Sequence, residues 1–154
     1  MSEQQQDTAK YIVGDDEIVY RLISSPAGYN EITGVSPDCF KLFRKNESYV
    51  SVESANYCSL DDALSNGENI KKWFAESESF WGLASLSVRK IRQHKQLDVI
   101  SKYAENHPGH AGIQMKLSEG QVYRSKLGEP TPMEILALQT YLSGIVDQVV
   151  KKDS

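Results

Sequence analysis

Three polar side chains stand where core residues are expected. Arg21 lies in Ile18-Val19-Tyr20-Arg21-Leu22-Ile23, Ser51 in Tyr49-Val50-Ser51-Val52, and His110 heads His110-Ala111-Gly112-Ile113-Gln114-Met115. A guanidinium on an inner strand offers a fixed fork for phosphate or carboxylate. A serine hydroxyl can hold a ribose or phosphate oxygen, and an imidazole moves a proton near neutral pH. If the three strands adjoin, they make a nucleotide-handling cleft. Arg21 would clamp a phosphate, Ser51 would orient a sugar and His110 would serve as acid and base. The same residues also fit a structural role. Arg21 would then pair with a buried acid, Ser51 would bond the backbone and His110 would cap its turn.

Other groupings carry less chemistry. His107-x-x-His110 could converge two imidazoles, with Glu105 or Glu119 adding oxygen, but a zinc site needs three or four protein ligands and the third histidine, His94, sits in another segment. No metal is expected. Arg89, Lys90, Arg92, His94 and Lys95 form a run without an acid, and a solvated face is the reading preferred over a phosphate or acidic-partner site. There is no Gly-x-Ser-x-Gly, no Gly-rich phosphate loop and no Rossmann fingerprint. The two cysteines, Cys39 and Cys58, fit no CxxC spacing. Buried free thiols in a reducing compartment are expected, a disulfide being the alternative.

The bulk composition narrows the setting. The 154 residues carry a formal charge of -4, with 40% hydrophobic and 25% charged residues. That balance disfavours nucleic acid as a partner, and no apolar run approaches the roughly 18 residues of a membrane span. The opening Met-Ser-Glu-Gln-Gln-Gln has neither the basic end nor the apolar core of a signal peptide. A cytoplasmic protein with no membrane association is expected.

Around the candidate residues the chain predicts an α+β domain over 11–154, after a disordered tail over 1–10. Its mixed, mostly antiparallel sheet has about five strands, with short helices and a long C-terminal helix. Strands are predicted at 18–23, 49–52, 80–86, 97–100 and from His110 onward, the last entered through a Pro108-Gly109 reversal with Gly109 permitting positive φ. Ser24 to Pro37 reads as a long loop over the site, and Gln121 to Leu127 as a weaker edge strand. Ser59 is expected to cap a helix that breaks at Asn66-Gly67, and Asn69 to cap another burying Ile70, Trp73 and Phe74. Ser87 is expected to cap a short helix with Val88 and Ile91 inward. Thr131-Pro132-Met133-Glu134 makes a capping box, predicting a helix to about Val149.

The order of Tyr20-Arg21 on one strand and Tyr49-Val50-Ser51-Val52 on the next resembles the arginine-then-serine strand pattern of ADP-ribosyltransferase-like bacterial toxins. The resemblance implies NAD as cofactor, with Arg21 supporting its phosphates, Ser51 its ribose side, and Glu119 or Glu129 in place of a catalytic acid. The family's Ser-Thr-Ser run and paired-glutamate loop are absent. A Tyr-Arg start and a late His-Ala strand are also similar to those of small bacterial proteins.

Two functions follow as expectations. One is a protein-interaction or accessory module, such as a toxin–antitoxin or defence component that takes another protein as partner. It rests on the acidic balance, the aromatic-rich 70–81 region and the lack of a strong motif. The alternative is a nucleotide- or NAD-handling enzyme with Arg21 for the cofactor and Ser51, His110 and Glu119 for catalysis.

Overall fold

Alternation of apolar and polar residues builds most of this molecule. The computed structural model describes residues 12–25, 27–42, 49–69, 79–105, 107–116 and 132–152. The strands are β1 (Ile18–Ser25), β2 (Tyr29–Asn30), β3 (Gly34–Val35), β4 (Tyr49–Ser54), β5 (Ser79–Ser87), β6 (Leu97–Ser101), β7 (His110–Met115) and β8 (Gln148–Lys151). The helices are α1 (Leu60–Asn69), α2 (Val88–Arg92) and α3 (Pro132–Gly144), with a 3-10 turn at Pro37–Phe40. Six strands form one sheet in the order β6-β7-β4-β1-β5-β8, and every pairing in it is antiparallel. The fold is α+β.

The sheet has two unlike faces. On one, Val19, Val52, Leu86, Val99 and Ile113 pack with Val88 and Ile91 of α2 and Leu138 and Leu142 of α3. Burying each such side chain contributes about 1.5–3 kcal/mol, so this face holds most of the stability. On the other face, Leu83 and Phe80 of β5 meet Cys58 and Ala63, with Tyr20, Leu22 and Leu64 packed against them. This smaller cluster lies under α1, toward the β1–β5 side of the sheet.

Several expectations are met at the level of single residues. Ser59 Oγ accepts from Asp62 N at the start of α1, and Ser87 Oγ accepts from Lys90 N at the start of α2. Val88 and Ile91 face inward. Cys39 and Cys58 are buried free thiols.

Others are corrected. The long loop from Ser24 carries a small hairpin of its own, β2 with β3. Helix α1 does not break at Asn66-Gly67 but runs to Asn69. Gly67 is there for close approach, because a Cβ on it would run into the Phe80 ring. Gly67→Ala should therefore lower stability by about 1–3 kcal/mol from overpacking, despite alanine's better helix propensity. A higher denaturation midpoint for that variant would contradict this packing.

The C-terminal helix also ends early. It stops at Gly144, and 148–151 forms β8 against β5 rather than a last helical turn. Leu142, Ile145 and Val149 keep helical spacing, but Val146, Val149 and Val150 are β-branched and suit a strand. The apolar edge of β5 gives Val149 and Val150 partners in Ala84 and Leu83. Val149 is 40% exposed rather than buried. The 1–10 tail, the Thr131 cap, the 70–74 helix and the 121–127 strand lie outside the described residues. Among the described residues no helix is long and apolar enough to cross a membrane.

Candidate functional site

The site arises from the register of β4 against β7. Tyr49 pairs with Gln114, Ser51 with Gly112, and Glu53 with His110. Directly paired residues project to the same face. Tyr49, Ser51, Glu53, His110, Gly112 and Gln114 therefore share the face opposite the main core.

The connection from β6 brings His107 to the same place. Ala104 and His107 bond each other's backbone, so the chain reverses just before Pro108-Gly109. A second turn follows, with His110 N donating to His107 O at 3.2 Å. Gly109 serves here by its size: Gly34 is the described glycine with positive φ. A Cβ on Gly109 would lie 2.8 Å from Tyr57 Cβ and 3.2 Å from a Glu53 carboxylate oxygen.

Six side chains meet on this face. Ser51 Oγ and His110 Nε2 are 2.7 Å apart. The His107 ring stacks on His110, centroids 5.1 Å apart and planes 16° from parallel. His107 Nε2 in turn contacts the Glu53 carboxylate. Tyr49 stands edge-on to His110 at 6.1 Å, and Lys102 Nζ lies 4.6 Å above the Tyr49 ring. Gly112 makes room for this layer, since a Cβ there would sit 2.7 Å from Tyr49 Cδ2 and 3.1 Å from Lys102 Cε.

Chemically, this is a hydroxyl on an imidazole beside an imidazole on a carboxylate. Hydroxyl and base within hydrogen-bond reach is the arrangement of an activated nucleophile. Metal binding has less support. The two Nε2 atoms go to different partners, and among the described residues no three His, Cys, Asp or Glu side chains gather as a metal site. Cys58 is a poor alternative nucleophile, because burial pushes its thiol pKa up and the Glu53 and Asp62 charges push it further.

Burial raises the pKa of the Glu53 carboxyl, opposed by the charge and hydrogen bond of His107. A carboxyl whose pKa is higher folded than unfolded holds its proton more tightly in the folded state. Its contribution is present at low pH and declines as pH rises from the ordinary glutamate value through the raised one. Glu53→Gln should remove that decline. Urea midpoints from about pH 4 to 7 for the two proteins, taken as a difference, measure it. A flat difference curve would contradict the assignment.

The three residues singled out first do not share one recess. Ser51 and His110 are joined, but Arg21 is on the other face, buried alongside Val19 and Ile23. Its Nε donates to Cys39 O at 2.8 Å and its Nη1 to Ser51 O at 2.9 Å. The bond to Ser51 is to the main chain, beyond the Val19–Ser54 and Tyr20–Glu53 pairs of β1 with β4. There the guanidinium links two strands and the 3-10 turn. Glu119 and Glu129 lie outside the described residues. The basic run of α2 is matched by acids: Arg89 by Asp16 at 2.6 Å, Lys90 by Asp147 at 2.5 Å and Arg92 by Asp15 at 2.6 Å, all distant in sequence, and Arg92 also by nearby Asp98 at 2.8 Å. No family model, curated protein or solved structure matches this chain.

Glu53, Tyr49 and Lys102 were not among the residues singled out from the sequence. For Glu53 a signal existed: extending the Tyr49–Ser51 alternation by two residues puts it on the same face. Lys102 had no such signal, because its place depends on how the β6–β7 hairpin closes.

Proposed function

We propose that this protein is a serine-dependent hydrolase or acyl transferase, with Ser51 as nucleophile and His110 as its general base. The observation that carries the reading is the 2.7 Å contact of Ser51 Oγ with His110 Nε2. As Oγ attacks an ester carbonyl, its proton passes to Nε2. The same proton then goes to the departing alkoxide, leaving an acyl-serine. Water repeats the sequence: its oxygen bonds the acyl carbon, His110 takes the proton, the Oγ–carbon bond breaks and Oγ recovers the proton. Glu53 and His107 hold the second ring against the first.

The test is exposure of the native protein to a fluorophosphonate. Ser51 Oγ bonds phosphorus, fluoride leaves and the proton goes to His110, so a stable adduct on Ser51 is expected. A native protein that stays unlabelled would overturn the reading. An NAD-handling site, as the toxin resemblance implies, would have to work without the Arg21 guanidinium on the face that carries the Ser51 hydroxyl.

A protein-interaction module is the second reading. It is favoured by apolar side chains that stand in solvent, Ile32 at 96%, Met133 at 82% and Leu136 at 54% exposed. Isolated exposed apolar residues are ordinary, so this observation weighs less than the Ser51–His110 contact. Light scattering and pull-down with the whole chain test it: a monomer that retains no partner counts against it.

A further inference from the structure

Resting on the hydrolase reading, we infer that His107 is a positioning residue of the reaction. By engaging the Glu53 carboxylate, it keeps that carboxylate from drawing the His110 imidazole away from Ser51. The inference starts from the register. Glu53, not Ser51, is the direct cross-strand partner of His110, and directly paired Cβ atoms lie about 4.5–5.5 Å apart. Ser51 is the diagonal neighbour, at about 7–8 Å between positions. Yet His110 Nε2 meets Ser51 Oγ at 2.7 Å. The nearer carboxylate meets His107 Nε2 instead, and the His107 ring lies along that of His110.

The choice matters because the two partners ask different things of the imidazole. A neutral ring has one N–H and one acceptor nitrogen. To take the serine proton, Nε2 must be the acceptor. A carboxylate only accepts, so one bonded to Nε2 would hold the hydrogen on that nitrogen and leave the serine without a base. The Glu53 side chain is 17% exposed, and a shielded carboxylate is costly unless a donor meets it. His107 supplies that donor. Its backbone is fixed for the task by the exchange with Ala104 and by the bond its carbonyl accepts from His110 N. Gly109 leaves space for the carboxylate, one oxygen of which is 3.2 Å from where a Cβ would be. The turn thus presents one histidine to the acid and reserves the other for the serine.

The experiment measures second-order rates of fluorophosphonate labelling of Ser51 in whole-chain variants near neutral pH, with circular dichroism and melting temperature reporting the fold. The His107 side chain is 46% exposed, so replacing it spares the core. His107→Phe keeps a ring against His110 but offers no N–H to Glu53. Labelling should slow by roughly 10- to 100-fold, the scale of one hydrogen bond to a charged group. His107→Gln returns an amide N–H to the carboxylate and should label faster than His107→Phe. The deciding variant adds Glu53→Leu to His107→Phe. With no carboxylate to compete, labelling should recover to the rate of Glu53→Leu alone, a recovery that a merely structural role for His107 would not give. A His107→Phe rate equal to that of the wild type, or a double variant no faster than His107→Phe, overturns the role of His107 and leaves the hydrolase reading standing. If the native wild type takes no label on Ser51, the hydrolase reading fails and takes this inference with it.

Discussion

His110→Ala is expected to slow fluorophosphonate labelling of Ser51 by about 10²–10⁴-fold, the usual contribution of a positioned base. A serine hydroxyl is a weak nucleophile, and what distinguishes Ser51 is the imidazole nitrogen 2.7 Å from its oxygen. Alanine removes the proton acceptor and also the ring on which His107 stacks. The strand itself should persist, since the Ala111 and Ile113 side chains that anchor β7 are on the other face and fully buried. Circular dichroism and the melting temperature check that point. Second-order rate constants for the two proteins give the effect, and equal rates would remove His110 from the mechanism.

Arg21→Ala should have the largest effect on stability, about 3–5 kcal/mol, without a matching loss of labelling by the folded protein. The guanidinium donates to the carbonyls of Cys39 and Ser51. Leaving a buried acceptor unsatisfied costs about 1–3 kcal/mol each, and the buried stem packs in the core as well. Against a total stability of about 5–15 kcal/mol, the loss should lower Tm by roughly 10 °C. Arg21→Lys should recover little, because a single ammonium lacks the planar fork that reaches both carbonyls. An unchanged Tm would contradict the structural role. A labelling rate that collapsed below the melting range would instead tie Arg21 to the chemistry.

Arg21 also shows where sequence reading stops. The alternation of β1 put Tyr20 and Arg21 on opposite faces, and β4 put Ser51 opposite Val50 and Val52, both as found. Which face of β1 meets which face of β4 is a matter of register. The Tyr20–Glu53 pairing sets Arg21 beside the core and Ser51 away from it. A shift of one residue would have reversed that relation. The Ser51–His110 contact was legible as two polar residues on inner strands, but their adjacency depends on β4 pairing with β7, which are separated by α1, β5, α2 and β6 in the chain.

The short elements were read well where side chains act on their own neighbours. Ser59 and Ser87 cap their helices as their positions suggest. Gly67 and the last strand were misread because distant residues decide them. The Phe80 ring needs the space over Gly67, and β5 offers an edge to Val149 and Val150. Local propensity carries no information about either partner. The basic run of α2 has the same lesson: its counter-charges, Asp15, Asp16 and Asp147, come from both ends of the chain.

Peptide mapping of the fluorophosphonate-treated protein tests most directly whether Ser51 is an activated nucleophile. A single adduct on Ser51 is predicted, formed by the native chain and absent after treatment in denaturant. Labelling spread over several serines, or an equal yield from the unfolded chain, would mean that the Ser51–His110 contact only holds β4 to β7.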